Sequence, residues 1–344
     1  MHLRVISAAL ATLVFLPGAG AAALPRTADS DTVGIQLLEA PSAKRADPRA
    51  KLYVIDNLRA GTTIRRSIGV TNHTNGPLRI SLYASAATIR SGAFTPSDGR
   101  TQNELSSWIS VAPTSVEVPA GAQAKAVVTI AVPKNATNGE QYAAVFAEPP
   151  AAQGKNGVAQ VNRVGIRVYL SVGNGEPASD FTIQSMKAFR TDKGLPAVTA
   201  QVKNTGGRAL DMSGSLRLTK GPGGLQAGPF PAKLGTTLGV GQTEPVSVFL
   251  DKALPNGPWT ARLDLESGLI KRAATATITF PAAGEAAPVK AKLVEDKKTS
   301  PPWVAIAAGL AVLLFLIWLI FFLLKRRSRP EDKRDQMTGM TQIG

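Results

Sequence analysis

From Val116 to Pro133 the chain reads VEVPAGAQAKAVVTIAVP: apolar and polar residues alternate, a Pro-Ala-Gly break intervenes, and the alternation resumes. Alternation with a period of two marks a strand with one buried face, and glycine at the break reaches backbone angles that a Cβ makes costly. The unit recurs. Val54 to Asn72 (VIDNLRAGTTIRRSIGVTN) breaks at Ala60 and Gly61, and Thr237 to Leu250 (TLGVGQTEPVSVFL) breaks at Val240 and Gly241. Within Leu78 to Ala84, Leu78, Ile80 and Leu82 share one face, with Arg79, Ser81 and Tyr83 opposite. Within Val164 to Val172, Val164, Ile166, Val168 and Leu170 align, while Arg167 and Tyr169 point the other way. This predicts antiparallel sheets, each with one solvated face, packed as sandwiches.

The turns follow one order twice. VTNHTNGPLRI (Val70 to Ile80), the corner at Gly121 and PKNATNGEQYAAV (Pro133 to Val145) are answered by a second set. That set is VKNTGGRALDM (Val202 to Met212), the corner at Gly241 and DKALPNGPWTARL (Asp251 to Leu263). Asn138–Gly139 corresponds to Asn256–Gly257, and Tyr142 to Trp259 within one position. Short strands separated by such turns at this spacing predict an all-β chain of two tandem immunoglobulin-like β-sandwiches, residues 24–172 and 179–281. A short link, 173–178, joins them, and an Ala-, Lys- and Pro-rich stretch, 282–302, reads as a solvated stalk. No amphipathic helix is evident in either sandwich.

Two apolar runs lie outside this pattern. His2 and Arg4 precede VISAALATLVFL, followed by small residues from Ala19 to Ala23. A basic start, a short apolar core and an A-x-A-like site are the parts of a secretory signal peptide, residues 1–23. WVAIAAGLAVLLFLIWLIFFLL, residues 303–324, holds no charge and no proline. At 1.5 Å per residue it extends roughly 33 Å, enough for one transmembrane helix. Lys325, Arg326, Arg327 and Arg329 follow at once, which places the tail, 325–344, in the cytoplasm and the sandwiches outside. The sequence thus predicts a single-pass type I protein of the cell membrane.

The chain has no cysteine and two histidines, so disulfides, thiolate metal sites and imidazole catalysis have almost no material. We expect no enzyme, no cofactor and no metal. Of the net +15, Arg4 and the tail (six basic residues against three acidic) carry +4, leaving +11 on the exported part. Outside a membrane, such a charge implies anionic wall polymers or lipid headgroups as neighbours rather than nucleic acid, or serves only solubility.

The leader, NLRAGTTIRRSIGVTNHTNGPLRISLYA, WISVAPTSVEVPAGAQAKAVVTIAVPKNATNGEQYAAVFAE, RVGIRVYLSV, a second sandwich and one anchor with a basic tail together resemble the WxL-interacting surface proteins. The resemblance is tightest from Leu58 to Val172. It implies a Gram-positive surface protein whose first immunoglobulin-like domain binds peptidoglycan, with a second domain implicated in host binding. It also implies that another surface protein is a partner.

Candidate chemistry is sparse. KGPGGLQAG (Lys220 to Gly228) lacks the Gly-Lys-Ser/Thr ending of a phosphate loop and reads as a hairpin loop. Asp264 and Glu266 share one strand face, but Leu263 and Leu265 take the inward positions, which leaves the acids on the solvated side. Asn72-His73-Thr74 and Asn135-Ala136-Thr137 fit the glycosylation pattern, and turn chemistry explains them as well. Trp108 and Tyr83 are either a sugar platform or core. Arg59, Arg65 and Arg66, around the first corner, are the candidate wall contact, against the alternative of a solvated strand face. The reading is a non-catalytic, membrane-anchored surface protein that binds wall polymer or other exported proteins. Its alternative is a structural accessory subunit of an envelope membrane complex.

Overall fold

The computed structural model describes residues 33–153, 159–160, 162–294, 310 and 313–321. The first sandwich is built from β1 (Val33–Leu37), β2 (Val54–Leu58), β3 (Thr63–Asn72), β4 (Leu78–Arg90), β5 (Ala93–Pro96), β6 (Ile109–Ala112), β7 (Ser115–Val118), β8 (Gln123–Ala131), β9 (Gly139–Glu148), the short pair β10 (Ala152–Gln153) and β11 (Ala159–Gln160), and β12 (Val164–Val172). One sheet runs β1-β3-β8-β6; the other runs β2-β12-β9-β4-β5, with β7 also paired to β4. Pairing is antiparallel except between β12 and β2, where Val168 stands opposite Val54.

The alternation assigns the inner faces. Ile68, Val70, Val128 and Ile130 from the first sheet meet Ile80, Leu82, Val145, Val168 and Leu170 from the second, all buried. A one-turn helix, α1 (Glu104–Ser107), closes one end: Asn103 and Ser106 cap it reciprocally and Leu105 enters the core. Trp108 is half-buried against the same core.

The second sandwich comprises β13 (Phe181–Arg190), β14 (Pro196–Asn204), β15 (Leu210–Asp211), β16 (Ser213–Thr219), β17 (Ala227–Pro231), β18 (Thr237–Leu238), β19 (Thr243–Phe249), β20 (Gly257–Ser267), β21 (Ile270–Phe280), β22 (Val289–Lys290) and β23 (Lys292–Val294). Its sheets run β19-β14-β13-β22 and β17-β16-β20-β21-β23, with β15 and β18 as a small separate pair. The expected stalk is therefore partly sheet. Val289–Lys290 pairs with β13 and Lys292–Val294 joins the opposite sheet beside β21, because this stretch supplies backbone donors and acceptors to two open edges.

The repeated turns share one buried device. Asn72, fully buried, donates its side-chain amide to the carbonyls of Gly76 (2.7 Å), Val118 (2.9 Å) and Pro119 (3.3 Å), and its carbonyl accepts from the Thr74 N–H. Asn204 does the same with Arg208 (2.8 Å), Leu238 (3.2 Å) and Gly239 (3.1 Å), accepting from the Gly206 N–H. Each asparagine thus ties its turn to the following corner, where Gly121 and Gly241 sit at φ 67° and 74°. This burial gives Asn72 a structural duty and withdraws it from glycosylation. The proposed equivalence of Tyr142 and Trp259 does not survive the parity. Trp259 lies two residues into β20 and faces the core, whereas Tyr142 lies three residues into β9 and faces outward.

Among the described residues no helix is long and apolar enough to cross a membrane. Leu310 and residues 313–321 are helical and belong to the run expected to do so; the rest of that run, the leader and the tail lie outside the described residues.

Candidate functional site at the junction of the sandwiches

The outer face of the six-stranded sheet departs from expectation. It was to be solvated, yet Tyr169 is 2 % exposed, and Ile55, Tyr83, Ala87, Ile89, Phe94, Ala144 and Phe146 are buried with it. Ala209 of the second sandwich belongs to the same cluster. Tyr169 sits at its centre, with ring centroids 5.3 Å from Phe94, 5.7 Å from Tyr53 and 5.9 Å from Tyr142. The signal was in the sequence. AAVFA (Ala143–Ala147) is apolar on both faces, as a strand covered on both sides must be.

Polar groups ring this apolar patch and cross to the second sandwich. Asp211 Oδ1 accepts from Arg167 Nη1 (2.9 Å), from the Tyr169 hydroxyl (3.0 Å) and from the Thr237 hydroxyl (2.9 Å). The Arg167 guanidinium stands 4.9 Å from the Phe94 ring centre and 5.2 Å from that of Tyr53, an added cation–π attraction. Burial, reinforced by the Asp211 charge, pushes the Tyr169 hydroxyl well above its usual range, so it remains a neutral donor.

A second crossing centres on Glu140, whose Oε2 accepts from the Tyr142 hydroxyl (2.8 Å) and the Ala209 N–H (2.5 Å). Burial raises the Glu140 carboxyl, and the two hydrogen bonds only partly oppose it. Further out, Arg49 Nη1 donates to the Ala209 carbonyl (3.0 Å). The tip of the β4–β5 hairpin reaches the second corner: the Thr237 N–H donates to the Gly92 carbonyl (2.8 Å) and Gln242 Nε2 to that of Ile89 (3.3 Å). The link is held as well, since Glu176 binds both Lys44 and Arg208. The sandwiches meet through a covered, hydrogen-bonded joint rather than through a loose spacer.

The three candidate arginines do not converge. Arg59 and Arg65 are exposed, at the corner and on the outer face of β3. Arg66, one residue on, points inward and grips both carboxylate oxygens of Asp56 at 2.7 and 2.8 Å, bridging the two sheets. Burial holds the Asp56 carboxyl above its ordinary value despite that partner. Tyr83 belongs to the junction cluster and donates to Glu148, with the Arg100 guanidinium 4.2 Å over its ring. Lys220 to Gln226 is the loop between β16 and β17, and Ala227 and Gly228 begin β17; Asp264 and Glu266 are partly exposed and paired with Arg262 and Lys271. Among the described residues no group of three His, Cys, Asp or Glu side chains is placed to hold a metal. What the junction offers is oriented charge and hydrogen bonds, the means of binding and of fixing two sandwiches together.

No family model and no curated protein matches the chain. Solved structures do. It is similar to the YadV chaperone, at 11% identity and a TM-score of 0.37 over 75% of this chain and 99% of that one. It is similar to a chain of the Salmonella enterica SafA pilin–SafB chaperone complex, at 11% identity and 0.36 over 76% and 96%. It is also similar to a chain of the Acinetobacter baumannii CsuC–CsuE chaperone–tip adhesion subunit complex, at 14% identity and 0.35 over 67% and 96%.

Proposed function

We propose that this chain is a non-catalytic, membrane-anchored protein of a Gram-positive cell surface, whose joined sandwiches lie outside and bind wall polymer or another exported protein. The observation that carries the anchoring is the helical segment 313–321. Leu313, Leu314, Phe315, Leu316, Ile317, Trp318, Ile320 and Phe321 are each about half exposed or more, so apolar surface faces outward on every side. A helix apolar all round is at home in lipid and costly in water. The basic cluster from Lys325 supports the orientation, and the resemblance of Leu58 to Val172 to the WxL-interacting proteins supports wall binding. The exposed Arg59 and Arg65 are the contacts we assign to an anionic polymer. Arg66 is excluded because Asp56 already holds it. Single exposed charge pairs contribute about 0–1 kcal/mol, so binding by such contacts is weak and salt-sensitive.

The test has two parts. Protease added to wall-stripped cells should leave only an anchor-plus-tail fragment. The full chain in detergent should sediment with purified wall sacculi at low ionic strength, and replacing both Arg59 and Arg65 by glutamine should reduce that fraction several-fold. Sedimentation that fails under all salt conditions, while crosslinking in the native envelope recovers one membrane complex, would establish the accessory-subunit reading instead.

A further inference from the structure

A cavity of about 340 Å³ opens at the joint, between the turn that carries Lys44 and Arg49, the link at Glu176 to Ser179, and the turn from Ser267 to Ile270. Its volume lies at the lower end of those that hold small ligands. Two arginines line it, and both are buried: Arg208 is 4 % exposed and Arg49 8 %. Neither is saturated. Among the described residues Arg208 Nη2 and Arg49 Nε have no hydrogen-bond partner. A Cβ built on Gly268 would stand 3.0 Å from that Nε and 2.8 Å from Asp47 Oδ1, so this N–H packs with the Asp47 carboxylate against the turn, behind the cavity wall. Buried guanidinium N–H groups without an acceptor are uncommon and call for one.

The charges around the cavity point to the acceptor. Among the lining residues Lys44, Arg49 and Arg208 outnumber Asp47 and Glu176 by one charge, while behind the lining Asp211 Oδ2 stands 3.8 Å from Arg49 Nη1 and Glu140 lies near both arginines. Asp47 is committed to Arg49, through the backbone N–H at 2.9 Å and Nη2 at 3.3 Å. Glu176 is different. Its side chain is 50 % exposed, it springs from the link rather than from a strand, and its one oxygen Oε1 serves both Lys44 and Arg208. Such a carboxylate can swing into solvent without disturbing a sheet, and it already shows what the cations accept. Pro177, Leu269 and Ile270 supply an apolar wall beside them.

We infer that this cavity is a binding site for one oxyanion, a carboxylate or phosphate group, held by Arg208, Arg49 and Lys44, and that Glu176 occupies it in competition with the ligand. The inference is independent of wall binding by Arg59 and Arg65, which lie outside the cavity.

The test uses the full chain in detergent, titrated with acetate, glycerol phosphate and inorganic phosphate against chloride at matched ionic strength. Calorimetry and the thermal unfolding midpoint give the readout. Saturable one-to-one binding of at least one of these oxyanions, absent with chloride, is expected; preference between acetate and the phosphates identifies the source. Glu176→Gln should tighten that binding several-fold, because it removes both the competitor and a negative charge. Lys44→Gln should weaken it by a similar factor, and Arg208→Gln should abolish it. Lys44 and Glu176 lie outside both cores, so those two variants decide the matter even if Arg208→Gln unfolds. A response to oxyanions no greater than to chloride would overturn the assignment. So would unchanged or weaker binding in Glu176→Gln, or affinity unchanged by Lys44→Gln.

Discussion

The two sandwiches are alike in how their backbones turn and unlike in what their outer faces do. Asn72 and Asn204 tie a turn to a glycine corner with the same four hydrogen bonds, one residue type serving one geometry twice. The strand after the shared Asn-Gly turn then diverges. In the second sandwich Trp259 turns inward and fills the core. In the first, Tyr142 turns outward and, with Tyr169, builds the joint. The repeated element secures the fold, and the unrepeated one connects the two copies.

The sharpest way to break this comparison is to remove from each aromatic what it supplies, the ring of Trp259 and the hydroxyl of Tyr142. Trp259 is 1 % exposed, and its ring packs so closely on Gly221 that a Cβ there would lie 2.3 Å from it. Trp259→Ala should cost about 3–5 kcal/mol, through lost burial and the cavity left behind. Tyr142→Phe keeps the ring and loses only the hydroxyl donated to Glu140, at about 1 kcal/mol. Chemical denaturation of the full chain measures both. Comparable losses would mean that Tyr142 has a core duty equal to that of Trp259.

A smaller effect sharpens the likeness. Asn72→Ala and Asn204→Ala each leave buried carbonyls without a donor, so each should destabilise by about 1–3 kcal/mol, and by similar amounts. A large loss in one and none in the other would show that only one turn depends on its buried amide.

How far the sequence foretold this follows the same division. Period-two alternation and the Asn and Gly turns made both sandwiches and their inner faces legible, because burial of one strand face imposes that pattern locally. Of the joint only AAVFA was legible, as a strand apolar on both faces; what covers it depends on which partner arrives, and Arg167 and Tyr169 look solvent-facing until Asp211 is placed beside them. Arg59, Arg65 and Arg66 read as one cluster from their proximity in the chain. Strand parity separates Arg65 from Arg66, and only the neighbouring β2 reveals Asp56 as the latter's partner. The cavity at Arg49 and Arg208 joins residues far apart in the chain, and no local pattern announces it.

The finest distinction concerns pH. After the repeated Asn-Gly turn the first sandwich has Glu140 and the second has Pro258, so only the first buries a titratable group there. Arg208, Arg49 and Tyr142 surround Glu140, yet burial dominates and raises its carboxyl above the ordinary 4.5. A carboxyl raised on folding binds its proton more tightly in the folded state. The Glu140 contribution is therefore greatest below 4.5 and is lost as pH rises through the folded value. Asp56, raised from 3.8, adds a loss of the same sign. Glu176, lowered by its Lys44 hydrogen bond, acts oppositely: its contribution is present above 4.5 and fades as pH falls below that. Between pH 4.5 and neutrality the Glu140 loss should therefore be visible as a declining urea midpoint of the full chain. Glu140→Gln keeps an acceptor for the Ala209 N–H but cannot ionise, so its midpoint should decline less over the same range, leaving the Asp56 share. Parallel declines in the two proteins would remove Glu140 as the source and leave Asp56 to account for the loss.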